Sequence, residues 1–306
     1  MRVSDAFISH CHMDHFAGFD HLLRFLLGRE KTVGLYGPSG LIEAIGHKLA
    51  AYTWNLVGGY DGNLVLRVRE LAGGGRLRVA RFTGRAGFAR ENEPDEPVED
   101  GILLREPGFL VRAAALDHGI PSLAFALEER AHINICRNRL QEIGLAVGPW
   151  LRAFKQAILS GAPEDMPVEV AWSGGGSERP RTLPLGQLRR QIMQIGAGRK
   201  IAYVVDAAFT EANAAAIVDL AKCADLLFIE APFLEAEAER AAARQHLTAH
   251  QAGTLARLAG VKRITPFHYS PRYKGREEAL VREAEAAFRL AGHAETPAAW
   301  QATEPP

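Results

Sequence analysis

The chain has 306 residues, and its Lys+Arg and Asp+Glu counts are equal at 36 each, so the formal net charge of zero weakens any claim of bulk polyanion binding and leaves room only for a local basic surface. Hydrophobic residues at 47% and charged residues at 24% exclude global disorder, and the length allows two ordinary domains or one large α/β unit. No run approaches the roughly 18 uncharged apolar residues of a membrane span, the start MRVSDAFISH lacks the apolar stretch of a signal peptide, and three cysteines (Cys11, Cys136, Cys223) cannot build a disulfide framework, so a cytoplasmic location is expected.

In chain order, residues 3–9 predict a strand, 16–27 a helix and 33–36 a second strand. Residues 39–56 follow as a long helix, with Ser39 as its cap and Leu41, Ile42, Ile45 and Leu49 at helical spacing. From 64 to 127 the character changes. Runs such as LVLRVREL, RLRVARF and FLVRAAAL alternate between Gly and Pro breaks, which predicts an antiparallel meander. Helices resume at 132–143 and 151–159. Residues 160–184 are dense in Gly and Pro and predict a surface excursion with at most one strand, 168–172. Beyond it come strand 200–205, helix 212–221, strand 226–230, helices 234–244 and 249–259, strand 263–266 and helix 276–290. Residues 294–306 read as a loose tail. The order suits two packed sheets with helices outside.

The densest chemistry lies just after the first predicted strand, in Ser9-His10-Cys11-His12-Met13-Asp14-His15. Side chains alternate in an extended stretch, so His10 and His12 point the same way and Cys11 away from them into packing. Asp14 and His15 follow where the chain turns into a helix and approach from another side. Two separately directed ligand pairs suit two metal ions better than one. Imidazole with carboxylate favours zinc, with manganese or iron as alternatives.

This H-x-H-x-D-H segment resembles the signature of the metallo-β-lactamase superfamily. The resemblance implies an α/β fold, a four-layer αββα sandwich, with a dinuclear site at one edge of its two sheets. It implies three later ligands at strand ends: His118 in Leu116-Asp117-His118-Gly119-Ile120-Pro121-Ser122, Asp206 after Ile201–Val205, and His268 in His268-Tyr269-Ser270-Pro271-Arg272-Tyr273. Within the superfamily the chain is similar to the ribonuclease Z family, endonucleases that trim the 3′ end of tRNA precursors. L-D-H-G-I-P-S-L and H-Y-S-P-R-Y resemble two motifs of that family. So does the stretch from Gly144 to Lys155, where Val147 stands for a proline and Ala153 for a glycine. His246-Leu247-Thr248 resembles its H-x-T motif.

The resemblance implies that one ion takes His10, His12 and His118, that the other takes Asp14, His15 and His268, and that Asp206 bridges both. Such a pair activates water near neutral pH and clamps the oxygens of an in-line displacement. His246 is the expected proton donor to the leaving ribose oxygen, Glu230 its orienting carboxylate, and Asp14 a second group on the nucleophile. Thr248 with Gln251 also matches a helix-start capping box. Gly148, Pro149, Lys155, Thr248, Ser270, Arg272 and Tyr273 are expected to face the substrate, Arg272 by bidentate phosphate contact.

Residues 1–293 are expected to form one such domain with the excursion at 160–184. Members of the family carry strands and an acidic D-x-G-x-G-T-like segment ahead of the signature, so the sandwich is expected to lack its first strands here and the natural start to lie upstream. A homodimer is expected from the resemblance alone. The leading expectation is cleavage of precursor tRNA. The alternatives are hydrolysis of a small phosphodiester or other ester, and a metal-binding protein without turnover.

Overall fold

The computed structural model describes residues 3–129, 132–172, 181–196 and 198–290. They divide into two compact units, one made of the chain up to Glu128 and from Arg199 onward, the other of Glu129–Gly198. The expected tail at 294–306 lies outside the described residues, as do positions 173–180 of the expected excursion. Among the described residues no helix is long and apolar enough to cross a membrane.

In the first unit, β1 (Asp5–Phe7), α1 (Met13–Phe16), α2 (Gly18–Leu26), β2 (Lys31–Pro38), α3 (Leu41–Ala50), β3 (Leu64–Ala72), β4 (Arg76–Thr83) and β5 (Arg90–Pro97) come first. The strands form a sheet in that order, parallel across β1, β2 and β3 and antiparallel from β3 to β5. Then β6 (Ile102–Arg105), β7 (Phe109–Asp117) and β8 (Pro121–Glu129) begin a second sheet. The predicted meander therefore divides between two sheets, with the crossing at 98–101.

The smaller unit comprises β9 (His132–Ile135), α4 (Arg137–Glu142), α5 (Trp150–Leu159), β10 (Pro167–Val170), β11 (Arg181–Pro184), α6 (Leu185–Ile192) and β12 (Met193–Gly196). Here the predicted helix at 132–143 starts only at Arg137. The preceding His-Ile-Asn-Ile has period-two alternation and pairs antiparallel with β12. Phe154, Leu140, Leu188 and Ile192 form this unit's own core.

The chain returns to the first unit with β13 (Lys200–Val204), α7 (Glu211–Ala221), β14 (Leu226–Glu230), α8 (Ala238–Ala243), α9 (Ala249–Leu258), β15 (Ile264–Phe267) and α10 (Glu277–Arg289). The second sheet runs β15, β14, β13, β8, β7, β6, parallel over its first three strands and antiparallel between β13 and β8. Helices α7 and α9 cover one face through Ile217, Leu220 and Leu255 against Val204, Leu227 and Ile229. Gly253 lets α10 approach closely, since a Cβ there would strike the carbonyl oxygen of Ala284. The first sheet packs Leu35, Leu66, Val68 and Phe82 against Leu23, Ile45 and Leu49 of its helices. Between the sheets lie Tyr36, Leu77 and Val79 against Val111, Leu123 and Phe125. Helix, sheet, sheet and helix are the four layers expected of an αββα sandwich.

Both ends of α3 also differ from the sequence reading. Ser39 does not cap α3. Gly40 is the N-cap at φ 94°, and the buried Glu70 of β3 accepts the N–H groups of Gly40 and Ile42, both at 3.0 Å. A carboxylate delivered from a neighbouring strand replaces the local cap and complements the helix dipole. The same helix stops at Ala50 rather than running to 56, where the indole of Trp54 donates to the Leu49 carbonyl at 2.8 Å.

Candidate metal centre and active site

The site forms where strand ends of both sheets meet. Beyond β1 the chain is held by two backbone bonds, Ile8 N–H to Tyr36 O and, from the second sheet, Leu123 N–H to Ser9 O, each 2.8 Å. His10 follows in this pinned segment and is fully buried. His12 is the extended N-cap of α1, so Asp14 and His15 sit in its first turn. β7 delivers His118, β13 delivers Asp206, β14 ends on Glu230 and β15 leads to His268.

The donor atoms converge. Nε2 of His15 and of His118 each lie 3.4 Å from Asp206 Oδ2, and Nε2 of His10 lies 3.5 Å from it. His268 Nδ1 lies 3.0 Å from Asp206 Oδ1. Yet Nε2 of His10, Nε2 of His15 and Oδ1 of Asp206 are buried without a hydrogen-bond partner among the described residues. Unpartnered buried polar atoms cost free energy, and so many aimed at one point fit a cation better than each other. His10, His12, His118 and Asp206 bring their ligand atoms within 4.8 Å of one another, as do Asp14, His15 and His268. His, Asp and no thiolate is a donor set suited to zinc, manganese or iron. The residues present therefore fit a pair of divalent cations.

Beside this cluster stands Glu230, 0% exposed. Its Oε1 accepts the N–H groups of Ala207 at 3.0 Å and Leu247 at 3.1 Å. Its Oε2 faces His246 Nδ1 at 2.8 Å and His268 Nδ1 at 3.3 Å. Burial alone would push this carboxyl up, but the hydrogen bonds from His246 and His268 outweigh it and hold it below the usual carboxylate range. The reverse holds for His246, where burial pulls down and the Glu230 carboxylate pulls up harder, leaving the imidazole more basic than usual. Asp206 is likewise opposed by burial but held far below its ordinary value by His10, His15 and His268.

Second partners fix two of the ligand rings. Ser9 Oγ lies 3.2 Å from His10 Nδ1, and the Gln245 carbonyl lies 2.6 Å from His118 Nδ1. Neither partner was anticipated from sequence. Ser9 is adjacent to the signature and so was within reach of it, whereas a backbone carbonyl leaves no trace in residue identity. Cys11 turns toward the packing of the first sheet, where burial raises its thiol.

Several residues expected to face a substrate are engaged within the protein. Thr248 is fully buried; its hydroxyl donates to Glu235 and accepts the Gln251 N–H at 3.1 Å, completing a capping box on α9. Tyr273 is buried, donating to Glu237 and accepting the Leu234 N–H at 3.2 Å. Arg272 Nη2 lies 3.3 Å from Glu237 Oε1, so its guanidinium is shared with a carboxylate. Ser270 is half-buried, its N–H 3.3 Å from the Pro232 carbonyl. Gly148, Pro149 and Lys155 belong to the smaller unit, where Pro149 caps α5 and Lys155 shares a cavity of about 540 Å³ with Arg137 and Arg152.

No family model matches the chain. Among curated proteins it is similar to ribonuclease Z of Deinococcus radiodurans, 32% identical over 94% of this chain and 82% of that protein. Ribonuclease Z of Prochlorococcus marinus is 31% identical over 94% of this chain and 77% of that protein. Zinc phosphodiesterase ELAC protein 1 of Homo sapiens is 27% identical over 93% and 76%. The crystal structure of human tRNase Z, short form, aligns with a TM-score of 0.48 at 20% identity, over 89% of this chain and 74% of that one. With the Deinococcus protein matched along nearly the whole chain, this chain belongs to the ribonuclease Z family.

Proposed function

We propose that this chain is a metal-dependent phosphodiesterase that removes 3′ trailers from tRNA precursors. The observation that carries the reading is the convergence of three imidazole Nε2 atoms on one oxygen of Asp206, with the His246–Glu230 pair beside it. His10, His12 and His118 would hold one zinc ion, Asp14, His15 and His268 the other, and Asp206 both. Bound there, the two ions supply Lewis acidity toward the phosphodiester and an acidified water.

The remaining chemistry belongs to side chains. Glu230 accepts the Nδ1 proton of His246, which turns Nε2 toward the site. The carboxylate also favours the imidazolium, so Nε2 carries a proton that it donates to the departing ribose oxygen. Asp14, with its side chain 70% exposed, reaches the open side of the cluster, where it orients the attacking water. The three free cysteines suit a reducing cytoplasm. The functional form is taken as a homodimer, which light scattering of the metal-loaded chain would check.

The test is incubation of zinc-loaded protein with a 3′-extended tRNA precursor, wild type beside His246→Ala. Cleavage leaving a 3′-hydroxyl on the tRNA side is expected, with the rate falling about 100-fold or more in the variant and bound metal unchanged. Loss of metal in His246→Ala would make this residue a ligand rather than a proton donor. Cleavage of a chromogenic phosphodiester without precursor cleavage would move the substrate to small esters.

A further inference from the structure

Helix α8 ends in a turn whose consecutive residues serve two parts of the site. Arg244 is its C-cap, and Gln245 follows in the left-handed region at φ 60°. The Gln245 N–H donates to Ala242 O at 3.0 Å, and the His246 N–H reaches over it to Ala241 O at 2.9 Å. This nested pair of bonds is a common helix ending in which glycine usually occupies the left-handed position. A residue with a Cβ costs about 1 kcal/mol there. The Gln245 side chain is exposed, with one 3.3 Å bond back to Ala242 O, so no buried packing of its own offsets that cost.

The backbone shows what the turn achieves. It sends the Gln245 carbonyl to within 2.6 Å of His118 Nδ1. A carbonyl only accepts, so Nδ1 carries a proton, and in the neutral ring that leaves the lone pair on Nε2. That lone pair faces the cluster, 3.4 Å from Asp206 Oδ2. The next residue in the same turn is His246, whose ring centroid lies 4.8 Å from that of His118 and whose Nδ1 meets Glu230. We propose that Gln245 is a positioning residue whose left-handed backbone sets the tautomer of His118 and the placement of His246 in one turn. Its kinetic consequence rests on the hydrolase reading above; the ring tautomer does not.

Backbone preference at position 245 is the lever. Gln245→Gly and Gln245→Asn accept the left-handed conformation, whereas β-branched Gln245→Val opposes it. Nitrogen-15 NMR of the full chain, with and without zinc, reads the tautomer of His118. Wild type, Gln245→Gly and Gln245→Asn are expected to show Nδ1–H, and zinc-free Gln245→Val a mixture of tautomers. On the precursor, kcat of Gln245→Val is expected to fall about 10-fold or more with KM little changed, while the other two variants keep the wild-type rate. An Nε2–H ring in zinc-free wild type overturns the proposal without any variant having to fold. It is overturned equally if Gln245→Val keeps both tautomer and rate, or if Gln245→Gly falls with it. Should no protein cleave any precursor, the hydrolase reading fails and the NMR result still decides the tautomer.

Discussion

Glu230 shows how much one side chain organises. Its two oxygens meet four donors: the N–H groups following Asp206 and His246 in the chain, and the rings of His246 and His268. A buried carboxylate so surrounded stays ionised despite its burial. Replacing it by glutamine leaves one oxygen to accept and turns an NH2 group toward another donor. Glu230→Gln is therefore expected to lower kcat on precursor tRNA about 100-fold while the zinc content measured by atomic absorption is retained. At this scale the sequence was informative where side-chain spacing acts locally. His10, His12, Asp14 and His15 could be grouped from their own spacing, whereas His118, Asp206 and His268 entered only through a resemblance to known motifs. For Thr248 and Tyr273 the motifs point toward substrate, since burial and hydroxyl partners are tertiary facts that residue identity does not carry. The Gln245 carbonyl was invisible because every residue has one.

Among elements, β3, β4 and β5 illustrate charge arranged across a sheet. Arg67 and Arg81 lie directly opposite in register, a repulsive pairing by itself. Glu93 of β5 resolves it, accepting from Arg67 Nε and Arg81 Nε, each at 2.6 Å, while Glu96 meets Arg67 and Arg69 at 2.8 Å. Burial would raise the Glu93 carboxyl, but the two guanidinium groups hold it below its usual 4.5. Its folded value is thus depressed relative to the unfolded chain. The stability it contributes is present above about pH 4.5 and lost as pH falls through the lower folded value. Glu93→Gln is expected to cost about 1 kcal/mol at pH 7, and the gap between wild type and variant in urea melts should shrink as pH falls below about 4.5. Element boundaries were harder to read than element types. The start of α3 is set by Glu70 and its finish by Trp54, both contributed from outside the helix, and β9 exists because β12 pairs with it.

For the molecule as a whole, the layer order was legible because runs of alternating and helical periodicity recur in an order that few architectures accommodate. The division of the antiparallel strands between two sheets was not, since hairpin signals do not say where a sheet ends. The donor cluster is a liability without cations: Nε2 of His10, Nε2 of His15 and Oδ1 of Asp206 are buried with no hydrogen-bond partner among the described residues. Ions that bind the folded chain alone stabilise it by mass action, about 2.7 kcal/mol at a hundredfold excess over Kd. Zinc is expected to raise Tm by several degrees in calorimetry and a chelator to reverse it, an outcome that an unchanged Tm would contradict.

The bond from Leu123 N–H to Ser9 O joins the two halves of the donor set. The signature segment hangs from the first sheet, and its complements end strands of the second. During synthesis on the ribosome the early histidines emerge long before His268 does. A nascent chain can offer only part of the cluster, so the complete donor set exists only in molecules whose sheets have already docked.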